Sequence, residues 1–134
     1  MEIIKNINFW QIIATLLIAY SVYHHGLQTT TMTAVSELRE KSDVAWNKIK
    51  KLSKKYDELN SEERDLVVSY INEYEHFCTL YNEGIVNKSL VKKTRKDTIL
   101  YVQDNYWGFI DSWRKDQSKP EAWKQLEICA KNLR

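Results

Sequence analysis

The sequence predicts an all-α protein, in which one N-terminal transmembrane helix precedes a small domain of about four helices. Charged residues are absent from residues 6–36, a run of 31 positions, whereas the body that follows is highly charged. One proline and three glycines supply few of the turns that strands need. From residue 34 onward, apolar residues recur at intervals of three and four, which is typical of amphipathic helices.

Residues 1–27 are the predicted transmembrane anchor. The apolar run from Ile7 to Tyr23 covers about 25 Å as a helix, and continuation to Leu27 reaches the roughly 30 Å of a hydrocarbon core. Trp10 and Tyr23 stand where interfacial aromatic residues are expected. No small-residue cleavage site follows, which argues against a signal peptide. The basic residues of the body favour a single-pass bacterial inner-membrane protein with a cytoplasmic C-terminal domain.

Residues 28–36 form a polar but uncharged juxtamembrane segment. Two interpretations stay open. The segment is either a mobile linker, or it continues the helix inside an oligomer. In the second case the hydroxyl groups of Thr29, Thr30 and Thr33 would line a pore.

Residues 37–134 are predicted to be the helical cytoplasmic domain. A first amphipathic helix is expected over residues 34–59, and a second over 61–83, opened by a capping box of Asn60 and Glu63 and stopped by Gly84. A third is expected from about residue 88 to 113 with a bend at Gly108. A second capping box at residues 118–121 is expected to open the last helix. Cys78 and Cys129 fall on apolar stripes and are predicted to be buried free thiols.

No arrangement of residues points to catalysis, a cofactor or a metal ion. Nucleophile, base and acid do not occur in a recognisable order, and phosphate loops and zinc motifs are missing from the sequence. The protein is therefore predicted not to be an enzyme. One basic run is the candidate contact surface for nucleic acid or a partner protein: Lys50, Lys51, Lys54 and Lys55.

The body also resembles a widespread group of uncharacterised bacterial proteins with an N-terminal anchor and a small helical domain. The resemblance is carried by Tyr74-Glu75-His76-Phe77, Tyr81-Asn82-Glu83-Gly84-Ile85-Val86, Val91, Tyr106-Trp107-Gly108-Phe109-Ile110 and Trp113-Arg114. The membrane accessory protein of type VI-B CRISPR systems is similar in layout. The resemblance implies a HEPN-like helical domain and membrane-anchored oligomers. For the CRISPR relative it implies a pore that supports phage defence.

One departure from the HEPN pattern concerns catalysis. HEPN ribonucleases carry an Arg four to six residues before a His, but His76 is preceded at those distances by Tyr70, Ile71 and Asn72. The leading hypothesis is therefore a non-enzymatic, self-associating membrane protein, a pore-type or membrane-perturbing effector in antiphage defence. Its expected partners are the membrane and further copies of itself. The alternative is a membrane-tethered adaptor that contacts RNA or a partner protein through its Lys-rich helices.

Overall fold

The computed structural model describes residues 2–52 and 55–134, with side chains from residue 9 onward. The described residues form five α-helices and one 3-10 helix, and they contain no β-strand. The all-α prediction is confirmed. The elements are α1 (Glu2–Ile49), the 3-10 helix (Tyr56–Glu58), α2 (Ser61–Asn82), α3 (Lys88–Asn105), α4 (Trp107–Asp116) and α5 (Lys124–Leu133).

Helix α1 is continuous over 48 residues, about 72 Å at the usual helical rise. Its C-terminal half packs on α2 and α3 and buries a stripe that includes Val35, Leu38 and Ile49. The predicted anchor, the polar segment 28–36 and the start of the amphipathic helix are thus parts of one helix. It ends at Ile49 and not near Leu59, which is buried in the core from outside the helix.

The prediction of a transmembrane anchor over residues 1–27 is wrong. Within the part of the chain that the structure describes, no helix combines the length and the apolar composition needed to cross a membrane. The physical reason is that Gln11, Thr15, Ser21, His24 and His25 interrupt the apolar residues of α1 and lower its mean hydropathy. The single-pass inner-membrane location, which depended on that anchor, is contradicted by the same finding.

Helix α2 is the centre of the body and begins and ends as predicted. The Asn60 side chain accepts a hydrogen bond from the Glu63 backbone at 2.8 Å, and the Glu63 carboxylate accepts one from the Asn60 backbone at 3.0 Å. At the other end Gly84 has a φ of +75°, and the backbone N–H of Ile85 donates to the carbonyl of Leu80 at 2.9 Å. This is a Schellman motif, in which glycine takes the left-handed position without steric cost.

The last three helices differ from the prediction at their ends. The single helix expected over residues 88–113 is two helices, α3 and α4, which meet at Tyr106 and not at Gly108. The capping box predicted to open the last helix is absent, since Ser118 follows α4 with a φ of +53° and α5 begins only at Lys124. The buried stripe of α5 is Leu126, Cys129, Ala130 and Leu133. Cys78 and Cys129 are both buried and free, as predicted.

Candidate functional site

A cleft of about 530 Å³ opens between the end of α1, the 3-10 helix and the junction of α3 with α4. Its volume lies within the roughly 300–1,000 Å³ of small-molecule sites. Rings make up much of the wall: Trp46, Tyr56, Tyr101, Tyr106 and Phe109. Polar side chains line it as well, namely Lys50, Lys55, Asp57, Asn105 and Ser112. We call this space the aromatic cleft.

One side of the aromatic cleft is built on Trp46, in the last turn of α1. Its ring centroid lies 5.8 Å from that of buried Tyr70 and 6.2 Å from that of Tyr101, with the Tyr101 ring edge-on. Tyr101 keeps 46% of its surface exposed. Nearby, burial raises the pKa of Tyr106 to about 12.

Another part of the wall is formed by Tyr56 and Phe109, whose rings meet edge to face with centroids 5.2 Å apart. The Tyr56 hydroxyl donates to the Asp116 carboxylate at 2.8 Å, and the Arg64 guanidinium lies 4.4 Å from the Tyr56 ring centroid. Burial raises the pKa of Tyr56, and the hydrogen bond to Asp116 adds to the rise. The same bond lowers the pKa of Asp116. Tyr56 is therefore a neutral, fixed part of the wall.

The predicted basic surface is divided by the structure. Lys50 and Lys55 line the aromatic cleft, and the Lys50 ammonium donates to the Asn47 side chain at 2.9 Å. Lys51 is exposed and is not part of the lining, and Lys54 lies outside the described residues. The described lysines of this run follow the end of α1 and so do not form a helix face, and two of them, Lys50 and Lys55, border the cleft.

A second feature is the N-terminal half of α1, whose described side chains project into solvent. We call residues 9–27 the arm. Nine of its large apolar side chains are 58–67% exposed: Phe9, Trp10, Ile12, Leu16, Leu17, Ile18, Tyr20, Val22 and Tyr23. Soluble monomers rarely expose a contiguous apolar patch of this size, and such patches usually mark interaction sites.

The three threonines proposed to line a pore are exposed in the single chain. Thr29, Thr30 and Thr33 face away from the body, and the Thr29 hydroxyl donates to the His25 carbonyl at 3.0 Å. Their neighbour Thr31 is instead fully buried. Its hydroxyl accepts from the Asn87 backbone at 2.7 Å and so ties α1 to the start of α3. The structure does not gather the three predicted threonines into a site.

Residues 9–133 match the family model described as a domain of unknown function (DUF4760). The chain belongs to the DUF4760 family. The prediction of an uncharacterised family is thereby confirmed. Because the match starts at Phe9, the arm and the body belong to the same DUF4760 domain. Comparisons with curated proteins and with solved structures found no significant match.

The aromatic cleft of this DUF4760 domain was only partly visible in the sequence. Trp46 and Tyr56 stand beside the lysine run, whereas Tyr101 and Tyr106 lie about fifty residues further along the chain. Their meeting depends on contacts between α1, α3 and α4, which periodicity does not reveal. Among the described residues, no three His, Cys, Asp or Glu side chains are placed to hold a metal ion. The arrangement suits non-covalent binding of a ligand that carries both a flat ring and an anionic group.

Proposed function

We propose that this protein works as a self-associating scaffold, in which several copies pack their arms into one helical bundle and carry their bodies on it. The observation that supports this is the exposure of the nine apolar arm side chains. Burying them removes apolar surface from water, which is the main favourable term in most protein association. The arm lies within the family match, so the proposal concerns a part of the domain itself.

A second copy of the chain is the occupant that the arm favours. Residues 6–36 carry no charge, so identical arms do not repel each other and offer no ion pair to select a different partner. Each of nine large side chains with about 60% of its surface exposed leaves on the order of 100 Å², or roughly 900 Å² per arm. Stable interfaces bury about 800 Å² per partner, so the arm is large enough.

The arm also has the spacing of a helical bundle. Alternate steps of four and three residues lead along one line of side chains: Phe9, Ile13, Leu16, Tyr20, Tyr23 and Leu27. This is the a and d pattern of a coiled coil. Trp10, Ile12 and Ile18 lie off that line and are equally exposed, so a two-stranded coil would leave them in water. The arm therefore favours more than two strands.

The test is the mass of the full-length protein in solution, measured by light scattering after size exclusion at several concentrations. We expect a mass that corresponds to three or more copies of the 16.0 kDa chain. The double substitution Leu16→Lys and Tyr23→Lys places charges on the line of contact and should return the protein to 16.0 kDa. Both side chains project into solvent in the single chain, so the body should keep its helical circular dichroism.

The matched control is Val44→Lys. Val44 lies on the same helix with 58% of its surface exposed, but within the half of α1 that packs on the body. This variant should keep the mass of the wild type. A wild-type mass of 16.0 kDa at all concentrations would overturn the proposal, and so would an oligomer that the arm lysines leave intact.

We propose antiphage defence as the setting of this self-association. The support is the layout of an N-terminal helix ahead of a small helical domain, in which the chain is similar to the membrane accessory protein of type VI-B CRISPR systems, whereas the family match reaches only an uncharacterised domain. Cells expressing the wild type should plate phage less efficiently than cells expressing the arm double variant. Equal plating at equal expression, across a panel of unrelated phages, would contradict a role in defence.

A further inference from the structure

We infer that the aromatic cleft is a binding site for a nucleotide, with the base between the aromatic walls and the phosphate at Lys50 and Lys55. This inference rests on the cleft alone and does not depend on self-association. A nucleotide reaches such a site either free or as part of single-stranded RNA. The two sources share the chemistry of a planar base that carries an anionic phosphate.

The walls of the cleft suit a planar ligand. Tyr101 presents nearly half of its surface to solvent, beside Trp46, whose position is fixed by contacts with Tyr70 and Tyr101. Phe109 also lines the cleft and is held edge to face by Tyr56. Stacking on aromatic side chains is the usual way in which proteins bind bases without reading their sequence. Rings that are already fixed lose little entropy when a base is bound.

The polar lining suits the rest of a nucleotide. Lys50 and Lys55 both line the cleft, and Asp57 is the one acidic residue of its described lining, so basic residues outnumber acidic ones there. Asn105 and Ser112 supply an amide and a hydroxyl that can pair with a base edge or a ribose. Tyr106 also lines the cleft, and its hydroxyl can donate a hydrogen bond at neutral pH, as in any tyrosine.

Residue 108 gives a way to alter the cleft without removing any of its aromatic rings. Gly108 is an exposed residue of the lining, and a Cβ atom added there would meet no atom within 4 Å. A larger side chain at this position therefore adds bulk to the lining without a clash. A leucine at residue 108 is compatible with helix α4, because leucine is a good helix former and the backbone there does not have a positive φ.

The experiment measures binding of adenosine 5′-monophosphate, adenosine and a single-stranded oligo(A) RNA to the full-length protein. Calorimetry follows the two small ligands, and fluorescence anisotropy follows the labelled RNA. We expect AMP or the RNA to bind with an affinity that falls as salt is added, and adenosine to bind more weakly. Gly108→Leu and Tyr101→Ala should each weaken binding by roughly tenfold or more.

Two lysine variants test the phosphate contact. Lys50→Gln should weaken AMP binding several-fold and leave adenosine binding unchanged. Lys92→Gln removes the same charge from an exposed position on α3, outside the cleft lining, and should change neither. Binding of AMP identifies a free nucleotide, and binding of the RNA alone identifies a nucleotide within a strand.

Three results would overturn the inference. They are a lack of binding by both AMP and RNA, binding that Gly108→Leu and Tyr101→Ala leave unchanged, and equal affinity for AMP and adenosine. Circular dichroism of each variant should match that of the wild type, because Tyr101 and Lys50 are exposed and Gly108 has free space beside it. The arm double variant should bind AMP as well as the wild type, which separates this inference from the proposed self-association.

Discussion

The start of α5 depends on a carboxylate from another helix, and removal of that carboxylate should destabilise the body. Trp123, at the position before α5, has a left-handed φ of +57° and provides no side-chain cap. Glu75 of α2 caps the helix instead. Its carboxylate accepts hydrogen bonds from the backbone N–H groups of Gln125 at 3.0 Å and Leu126 at 2.6 Å. These are among the N–H groups that a helix leaves unpaired at its start.

The cost of Glu75→Ala follows from those two bonds. A hydrogen bond to a charged group contributes about 1.5–3 kcal/mol, and part of this is offset because burying the carboxylate is itself unfavourable. We therefore expect a loss of about 2–3 kcal/mol of unfolding free energy, or roughly 10 °C in Tm for a chain of this size. Glu73→Ala, two residues earlier on α2, should stay within about 0.5 kcal/mol of the wild type.

Urea unfolding followed by circular dichroism measures these differences. The substitutions belong in the arm double variant, because the stability of an oligomer depends on protein concentration. A Glu75→Ala variant as stable as Glu73→Ala would refute the claim that this carboxylate holds the start of α5.

The pH dependence of the same carboxylate has a defined sign. Burial raises the pKa of Glu75, against the opposing effect of the N–H groups of Leu126 and Gln125 and of the Arg114 charge. A folded pKa above the unfolded value gives stability that is present below the unfolded pKa and is lost as pH rises through the folded pKa. The stability advantage of wild type over Glu75→Gln should therefore shrink as the pH rises above the usual glutamate pKa of about 4.3. An advantage that grows with pH would contradict this sign.

Three further substitutions test single contacts by the same urea assay. Gly84→Ala should cost about 1–2 kcal/mol, because alanine is strained at a φ of +75°, and no loss would contradict the Schellman turn. Thr31→Val should cost about 1–3 kcal/mol, since the Asn87 N–H then lacks its acceptor, and a neutral result would contradict that bond. Gly26→Ala has free space around it and should gain up to about 1 kcal/mol in the arm double variant, where a loss would indicate close packing.

The sequence predicted those elements whose signals are local. The start of α2 depends on Asn60 and Glu63, which are three residues apart. Its end depends on Gly84, the first glycine after the start of the helix. The buried stripe of α2 follows from the helical period, so its core residues were readable before the fold was known. These features depend on neighbours within one or two helical turns, which is the range over which sequence patterns are informative.

Two features that the sequence did not predict depend on a distant contact. The expected capping box at residues 118–121 looked sound locally, but Ser118 instead follows α4 in the left-handed conformation. Its role at the start of α5 is taken by Glu75, about fifty residues earlier in the chain. The aromatic cleft has the same origin, since Trp46 and Tyr101 meet only through tertiary packing. Capping by distant side chains leaves no periodic trace in the sequence.

The two proposals share α1, which carries the arm at one end and Trp46 of the aromatic cleft near the other. If several arms form one bundle, several clefts are held near one another, because each lies only about 28 Å along its own α1 from the end of the arm, counted from Leu27 to Trp46. A long RNA that reaches more than one cleft then binds with a high effective concentration for the second contact, typically gaining about 10²–10⁴ in avidity. We therefore expect a long oligo(A) to bind the wild type far more tightly than a short one, and the arm double variant to bind both alike. If the intact oligomer binds the long and the short oligo(A) with equal affinity, the clefts act separately. That result would contradict the avidity argument even if both the helical bundle and the nucleotide site exist.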